Sequence, residues 1–404
     1  MSHTLDHLLL AMQQDQQSPE IFSSLLSSWI EHTATELGEV ISRHGATDPA
    51  QRTLIDKVLE RYQSLDDVSR GRFLLSTDVS SYLEEPDGMA FEGEHVGTRS
   101  LLQALADALE REHVIACIRT GRDVSTDGDR VDSPLGDVIA RRGELGWSLE
   151  SRQTIGGVIA LDVDSTLSMR YEPDSGTFCR ARLEVDDTEH QLIADKLERA
   201  MALIDAATPL FGLMIRSFTR RIMVRKSVGL DEPVERVPLG SEYRPIHTGC
   251  IRILNVHRSE MTVVLCAEAI LHESTHSFLS AYESIHGKFM SSEIRFRPVS
   301  PWSGNYIPNH SLAHAIFVYY ALHELFDHAL RDATIEDEEI LRSLKRRRLD
   351  VAVGFCLGQS LSSMFLLDEV VPPRFMQIVD CMQESIRQRY RQKAIPQPER
   401  RRAA

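Results

Sequence analysis

His272-Glu273-Ser274-Thr275-His276 constrains this chain more than any other stretch. On an α-helix, side chains four residues apart stack on one face, so the two imidazoles point the same way and can grip one metal ion. The flanking sequence agrees with a helix: Met261 to Leu271 is a mostly apolar run interrupted by Glu268, which predicts a largely buried helix leading into the motif. Imidazoles and carboxylates in such a place are costly unless something satisfies them. A metal ion would do so; hydrogen bonds from His272 and His276 to carbonyl groups are the non-metal alternative.

With 404 residues, 42% of them hydrophobic, the chain is long enough for two domains or one large one with a substantial core. Its formal charge of -15 argues against non-specific nucleic-acid binding, and no nucleic-acid partner is expected. No stretch is apolar for long enough to cross a bilayer, and Met1-Ser2-His3-Thr4 opens neither a basic nor a signal-like segment, so no membrane partner and a cytoplasmic location are expected. Cys117, Cys179, Cys250, Cys266, Cys356 and Cys381 lie far apart, with no CxxC pair, and read as reduced structural thiols. The basic run Lys345 to Arg348 follows Glu336 to Glu339 on a predicted exposed helix and reads as internal charge balance. Residues 387–404 read as a basic C-terminal tail.

Apolar residues at helical spacing mark the first 115 residues, as in Leu54, Val58, Leu59 and Tyr62. Gly, Asp and Ser residues between Thr120 and Gly146 predict a long connection. Gly156 to Val163 predicts a strand that forms a hairpin with a second strand through Phe178 to Val185. Asp187 then opens an amphipathic helix to about Thr208, Phe218 to Lys226 predicts a strand with one solvated face, and Gly249 to Leu254 predicts another short strand before the motif helix. The expected class is α+β and predominantly helical: a helical N-terminal region over 1–145, then a zincin-like metal domain with a small mixed sheet over 146–386. The order of elements before the motif is that of zincin-type metalloproteases, an analogy of fold from which function does not follow.

Two histidines do not complete a metal site, and the third ligand decides the chemistry. The pattern HExxHxxGxxH is excluded, because Leu279 stands at the Gly position and Tyr282 at the last His. Downstream candidates are His286, His310, His314, His323, Glu324 and His328. His310 and His314 open a predicted helix whose apolar surroundings single out His314 as the buried member of the pair. Glu324 is the alternative that a zinc peptidase would use.

Leu271-His272-Glu273-Ser274-Thr275-His276-Ser277-Phe278-Leu279, then Ser300-Pro301-Trp302, then Pro308 with His314-Ala315 beyond it, resembles the HExxH-type alpha-ketoglutarate-dependent peptide beta-hydroxylases of ribosomal peptide natural-product pathways. The likeness spans about 245 to 325. It implies Fe(II) as the metal, His272, His276 and His314 as its ligands, alpha-ketoglutarate as co-substrate, and a ribosomally made precursor peptide as substrate. Members often carry Arg after Ser-Pro-Trp, where this chain has Ser303; Arg295 or Arg297, just upstream, are the candidates to bind the co-substrate carboxylate, with a surface role as the alternative for either.

The expectation is thus an oxidoreductase, an Fe(II)/alpha-ketoglutarate-dependent dioxygenase that hydroxylates a side-chain beta carbon, an arrangement for which a three-residue protein face on the metal leaves open positions. Glu273 then orients a ligand or touches the peptide, and Trp302 and Tyr306 either line the peptide channel or pack as core or lid aromatics. The alternative is a zinc metallopeptidase in which Zn(II) acidifies a water and Glu273 takes its proton. A third class, a non-catalytic protein that docks a partner through its helical N-terminal region, also retains the motif.

Overall fold

Helical spacing over most of the chain yields a predominantly helical α+β architecture with small mixed sheets. The computed structural model describes residues 2–13, 18–47, 51–91, 98–124, 126, 128–165, 183–290, 297–332, 335–366 and 371–391. Contacts divide the chain into two units, one comprising Met1–Ile21, Ala206–Pro209 and His286–Ala404, the other Phe22–Asp205 and Leu210–Ile285. Helix α1 (Ser2–Met12) belongs to the first.

The second unit opens at Phe22 within α2 (Ser18–Thr47) and continues with α3 (Arg52–Ser64), α4 (Asp67–Leu74) and α5 (Thr77–Glu84), then a short ribbon of β1 (Met89–Phe91) and β2 (Thr98–Ser100), then α6 (Leu101–Arg119). Their apolar stripes share one core that includes Val58, Phe73, Tyr82, Leu105 and Leu109, as the spacing predicts. Asp66 accepts a bond from Ser69 N and Ser100 from Gln103 N, closing the first turns of α4 and α6.

The predicted connection over 120–146 instead contains strands. Strands β3 (Arg130–Asp132), β4 (Val138–Gly143) and β5 (Gly146–Ser151) form an antiparallel meander. The predicted hairpin is also revised: the chain turns at Gly156 and Gly157, both with positive φ of 58° and 83°, between β6 (Thr154–Ile155) and β7 (Ile159–Asp162). The predicted partner strand falls largely on 166–182, outside the described residues. Helix α7 (Asp187–Ala207) begins in a reciprocal cap, Glu189 N donating to Asp186 Oδ1 and Asp186 N to Glu189 Oε2. Next come α8 (Pro209–Phe218), β8 (Arg221–Arg225), β9 (Gly240–Tyr243), β10 (Cys250–Leu254) and the motif helix α9 (Val263–His286).

The main sheet has the order β6-β7-β8-β10-β9, with β7, β8 and β10 parallel and β6 and β9 antiparallel at its edges. Every residue of β8 is buried, so the predicted solvated face is corrected. Both faces of the strand are covered. Register places Ile222, Val224, Ile251, Ile253, Ser241 and Tyr243 on one face and Asp162, Arg221, Arg225, Arg252 and Glu242 on the other. Asn255, a non-glycine residue with positive φ (54°), ends β10; its amide accepts from Ser227 N and donates to Pro238 O, pinning the chain just before β9.

In the first unit, α10 (Asn309–Asp332), α11 (Glu338–Phe355) and α12 (Pro373–Tyr390) surround a core with Phe289, Phe317, Phe355 and Phe375. Arg374 of α12 donates to Asp6 of α1 at 2.7 Å. Arg348 pairs with Asp327 on α10 and Arg347 with Asp350, so these basic residues of α11 balance charge within the protein, with partners other than Glu336 to Glu339. Helix α12 includes residues 387–390 of the basic stretch; 392–404 lie outside the described residues. Among the described residues no helix is long and apolar enough to cross a membrane.

Candidate metal centre

The apolar run before the motif becomes the buried first half of α9, where Val264, Cys266, Ala267, Ile270 and Leu271 sit in the core. Phe278, one turn beyond Ser274, packs edge-on against Phe22 and Phe218, with ring centroids 5.7 and 5.2 Å away. Thr219 and Ser274 join hydroxyls at 2.7 Å in the core, tying the start of β8 to the motif helix. Lys196 of α7 donates to Val256 O and Arg258 O in the loop that delivers α9. The helix is therefore fixed along its length before any ligand is considered.

On this frame His272 and His276 share a face, their rings 5.2 Å apart and both partly exposed. Ligand atoms of His272, Glu273 and His276 lie within 4.8 Å of one another. The donor set fits a divalent metal: two imidazoles at i and i+4, a carboxylate between them, and an accessible side. Glu273 is turned into the protein, 4% exposed, where its Oε1 accepts from Ser241 Oγ at 2.5 Å and stands 3.9 Å from His272 Nε2. Burial pushes its carboxyl above the usual range, against the opposing pull of His272 and the Ser241 hydrogen bond.

Two residues that sequence reasoning missed complete this part. Ser241 orients Glu273, and Tyr243 stacks on His276 at 5.8 Å and 11° while its hydroxyl bonds Thr248 Oγ1. Burial raises the Tyr243 phenol to about 12, so it stays neutral. Both lie on β9, and their period-two spacing was the available signal: Ser241 and Tyr243 face α9 together.

His314 lies in the other unit on α10, 4% exposed, its ring 4.3 Å from His310 and edge-on to Phe289. Glu324, also on α10, accepts from Arg389 Nη2 at Oε2, pairs with the same guanidinium across 2.9 Å at Oε1, and stands 3.7 Å from His328. Burial would raise its carboxyl, but His323, His328 and Arg389 outweigh that and hold it well below the usual range. Arg389 and Arg348 also engage Asp327 beside it. Arg297 is exposed, just ahead of the bridge between Val299 and Tyr306; Arg295 is outside the described residues.

Trp302 takes the packing role of its two alternatives. It stacks on Tyr319 at 4.3 Å, meets Phe355 edge-on, and donates from Nε1 to Val351 O. Tyr306 is 71% exposed. Cys117, Cys250, Cys266, Cys356 and Cys381 are free thiols; burial raises Cys250 to about 11 and Cys266 to about 12, which keeps both protonated and inert.

Compared with known proteins, the chain matches no family model and no curated sequence.

Proposed function

We propose that this protein is an Fe(II)- and alpha-ketoglutarate-dependent hydroxylase acting on a side-chain beta carbon of a precursor peptide. The observation that carries the reading is the convergence of His272, Glu273 and His276 on a rigidly held helix, with Glu273 turned inward to Ser241. His272 and His276 hold the metal, and His314 is assigned as third ligand on the sequence resemblance alone. When bound, Fe(II) with the 2-oxo acid and oxygen supplies the oxidation of an unactivated C–H bond.

The chain's own groups then position and shield. Tyr243 keeps the His276 imidazole in one orientation, and Ser241 does the same for Glu273, as supporting residues do in metal sites. Strand β9 is the edge of the main sheet and, among the described residues, pairs only with β10. Its free edge suits an extended peptide that adds as a further strand, with main-chain bonds giving affinity. Arg297 is the described candidate for the co-substrate carboxylate, and Arg295 the other.

The zinc peptidase is the second reading, since its general base would be Glu273. Two observations weigh against it. Glu324, the carboxylate such an enzyme would use on the metal, is buried and spent on Arg389 and His328, and turning it to a metal would break that pairing. The Glu273 carboxylate is likewise committed to Ser241.

The test is anaerobic reconstitution with Fe(II) followed by absorption spectroscopy as alpha-ketoglutarate is added. A weak visible charge-transfer band, lost in His276→Ala and in His314→Ala, is the expected result. Absence of the band, together with tight zinc binding and cleavage of a peptide library, would overturn the hydroxylase in favour of the peptidase.

A further inference from the structure

The face of the main sheet turned away from α9 is charged, and it borders a cavity of about 370 Å³, within the size range of small-ligand sites. None of the motif residues lines it. Arg221 and Asp162 from this face form its floor, 8% and 3% exposed, paired at 3.4 Å. Arg221 is held from behind by Pro134 O and Leu135 O. The turn approaches so closely that a Cβ at Gly136, whose φ is 78°, would fall 2.8 Å from Arg221 Nη2. Asp162 is held by Ser165 N at 2.9 Å and Asp164 N at 3.3 Å. The floor is therefore preorganised and closed.

The walls are not. Arg130 forks onto Asp132 with bonds of 3.0 and 2.9 Å, but the other charges are loosely matched. Arg111 stands 3.6 Å from Asp78, and it makes no hydrogen bond among the described residues; its Nε is buried without a partner. Arg152 reaches Asp132 at 3.7 Å and Asp164 at 3.2 Å. The Glu85 carboxylate, on the same rim as Asp78, is exposed without a partner among the described residues. Guanidinium–carboxylate bonds that are fully made run to about 2.7–2.9 Å, so donors and acceptors of both signs are left with capacity facing the cavity. Leu101, Ala104 and Ile246 add apolar wall.

We propose that this cavity is a second binding site, separate from the metal centre, for an amphoteric ligand of amino-acid to short-peptide size. Its carboxylate inserts between Arg111 and Arg152, and its ammonium group lies against Asp78 and Glu85. A purely anionic or purely cationic ligand satisfies one set and repels the other, so the site selects for both charges on one molecule. The charged groups come either from the termini of a free ligand or from side chains within a longer peptide.

Isothermal titration of the full chain, without added iron, tests this independently of the hydroxylase reading. The probes are the dipeptide Glu-Lys, glutarate, 1,5-diaminopentane, and the end-capped acetyl-Gly-Glu-Lys-Gly-amide, at one ionic strength. The expected result is saturable binding of Glu-Lys at least tenfold tighter than glutarate or the diamine, weakened at least tenfold by Arg111→Gln and by Arg152→Gln. Arg111 is partly exposed and its side chain makes no hydrogen bond among the described residues, so its variant should fold. Equal binding of the capped peptide assigns the charges to side chains of a longer chain; its loss assigns them to free termini. No binding of Glu-Lys, equal binding of glutarate, or indifference to both arginine variants would overturn the proposal.

Discussion

Glu273→Gln separates the two chemistries, because the structure makes the substitution nearly silent for the fold. The side chain is 4% exposed, the Ser241 hydroxyl donates to its Oε1, and the Tyr243 backbone also bonds the carboxyl. Glutamine keeps that acceptor and removes a charge that burial already disfavours, so stability should change by no more than about 1 kcal/mol. Glu273→Ala, by contrast, removes the acceptor and leaves the Ser241 hydroxyl unsatisfied beside a small void, at a cost of about 1–3 kcal/mol. In a hydroxylase no proton has to be taken by Glu273, and the glutamine variant should retain turnover to within about tenfold. A peptidase relying on it as general base should lose about 100-fold to 10,000-fold. Succinate release and the mass gain of one oxygen atom on the peptide measure the first activity, peptide cleavage the second, and thermal melts in parallel report the fold. Loss of hydroxylation by more than about 100-fold with an unchanged melt would refute the positioning role. Equal destabilisation by the glutamine and alanine variants would refute the argument from Ser241.

Four further outcomes follow from the packing. Tyr243→Ala frees the His276 ring and should weaken metal binding by about 10-fold to 100-fold, whereas Tyr243→Phe keeps the stack and should bind nearly as the parent; competition with a metal chelator reads both. Glu112 of α6 is fully buried, with Arg72 donating to one oxygen and the other without a partner, and burial lifts its carboxyl from 4.5 to about 7 against the pull of Arg72. In that window the folded chain holds a proton that the unfolded chain has released, so this group's stabilisation is complete below 4.5 and lost as pH rises through 7; denaturant titrations should show Glu112→Gln gaining up to roughly 3 kcal/mol on the parent across that range. Arg389→Met removes one partner of buried Glu324 while His323 and His328 remain, and should cost about 1–3 kcal/mol in chemical denaturation. Gly354→Ala drives a methyl group to within 2.2 Å of the Trp302 indole, which Tyr319 and Phe355 hold in place, and should lower the melting temperature by an amount corresponding to about 1–3 kcal/mol.

What the sequence disclosed depended on whether the signal was local. The stripes of α3 and α6, the cap region of α7 and the buried run of α9 are periodic over many residues, and each became the expected helix. The meander β3 to β5 escaped because its strands are three to six residues long and embedded among turn-forming Gly, Asp and Ser, so composition outweighed alternation. Strand β8 was misjudged for a different reason. Alternating arginines imply a wet face, yet Arg221 and Arg225 are buried, a choice that tertiary pairing makes and periodicity cannot.

The same distinction explains the metal centre. Its metal-binding residues on α9 are contiguous and therefore readable, whereas the residues that orient them, Ser241 and Tyr243, lie about thirty positions away on a strand of four polar-to-aromatic residues. Only the register of β9 against β10 brings their side chains to the face that α9 covers. The opposite face of the same sheet carries Asp162 on β7, Arg221 on β8 and Arg252 on β10 into a charged interior. One sheet thus serves two chemistries because alternation assigns successive residues to opposite faces. A one-residue slip of β9 would exchange Ser241 for Glu242 beneath Glu273, placing a second carboxylate where a hydroxyl donor now stands. Deletion of Leu239, between Pro238 and Gly240, therefore tests the register. It should leave α9 helical by circular dichroism while weakening metal affinity at least as much as Tyr243→Ala, and unchanged affinity would show that β9 does not set the geometry of the histidines.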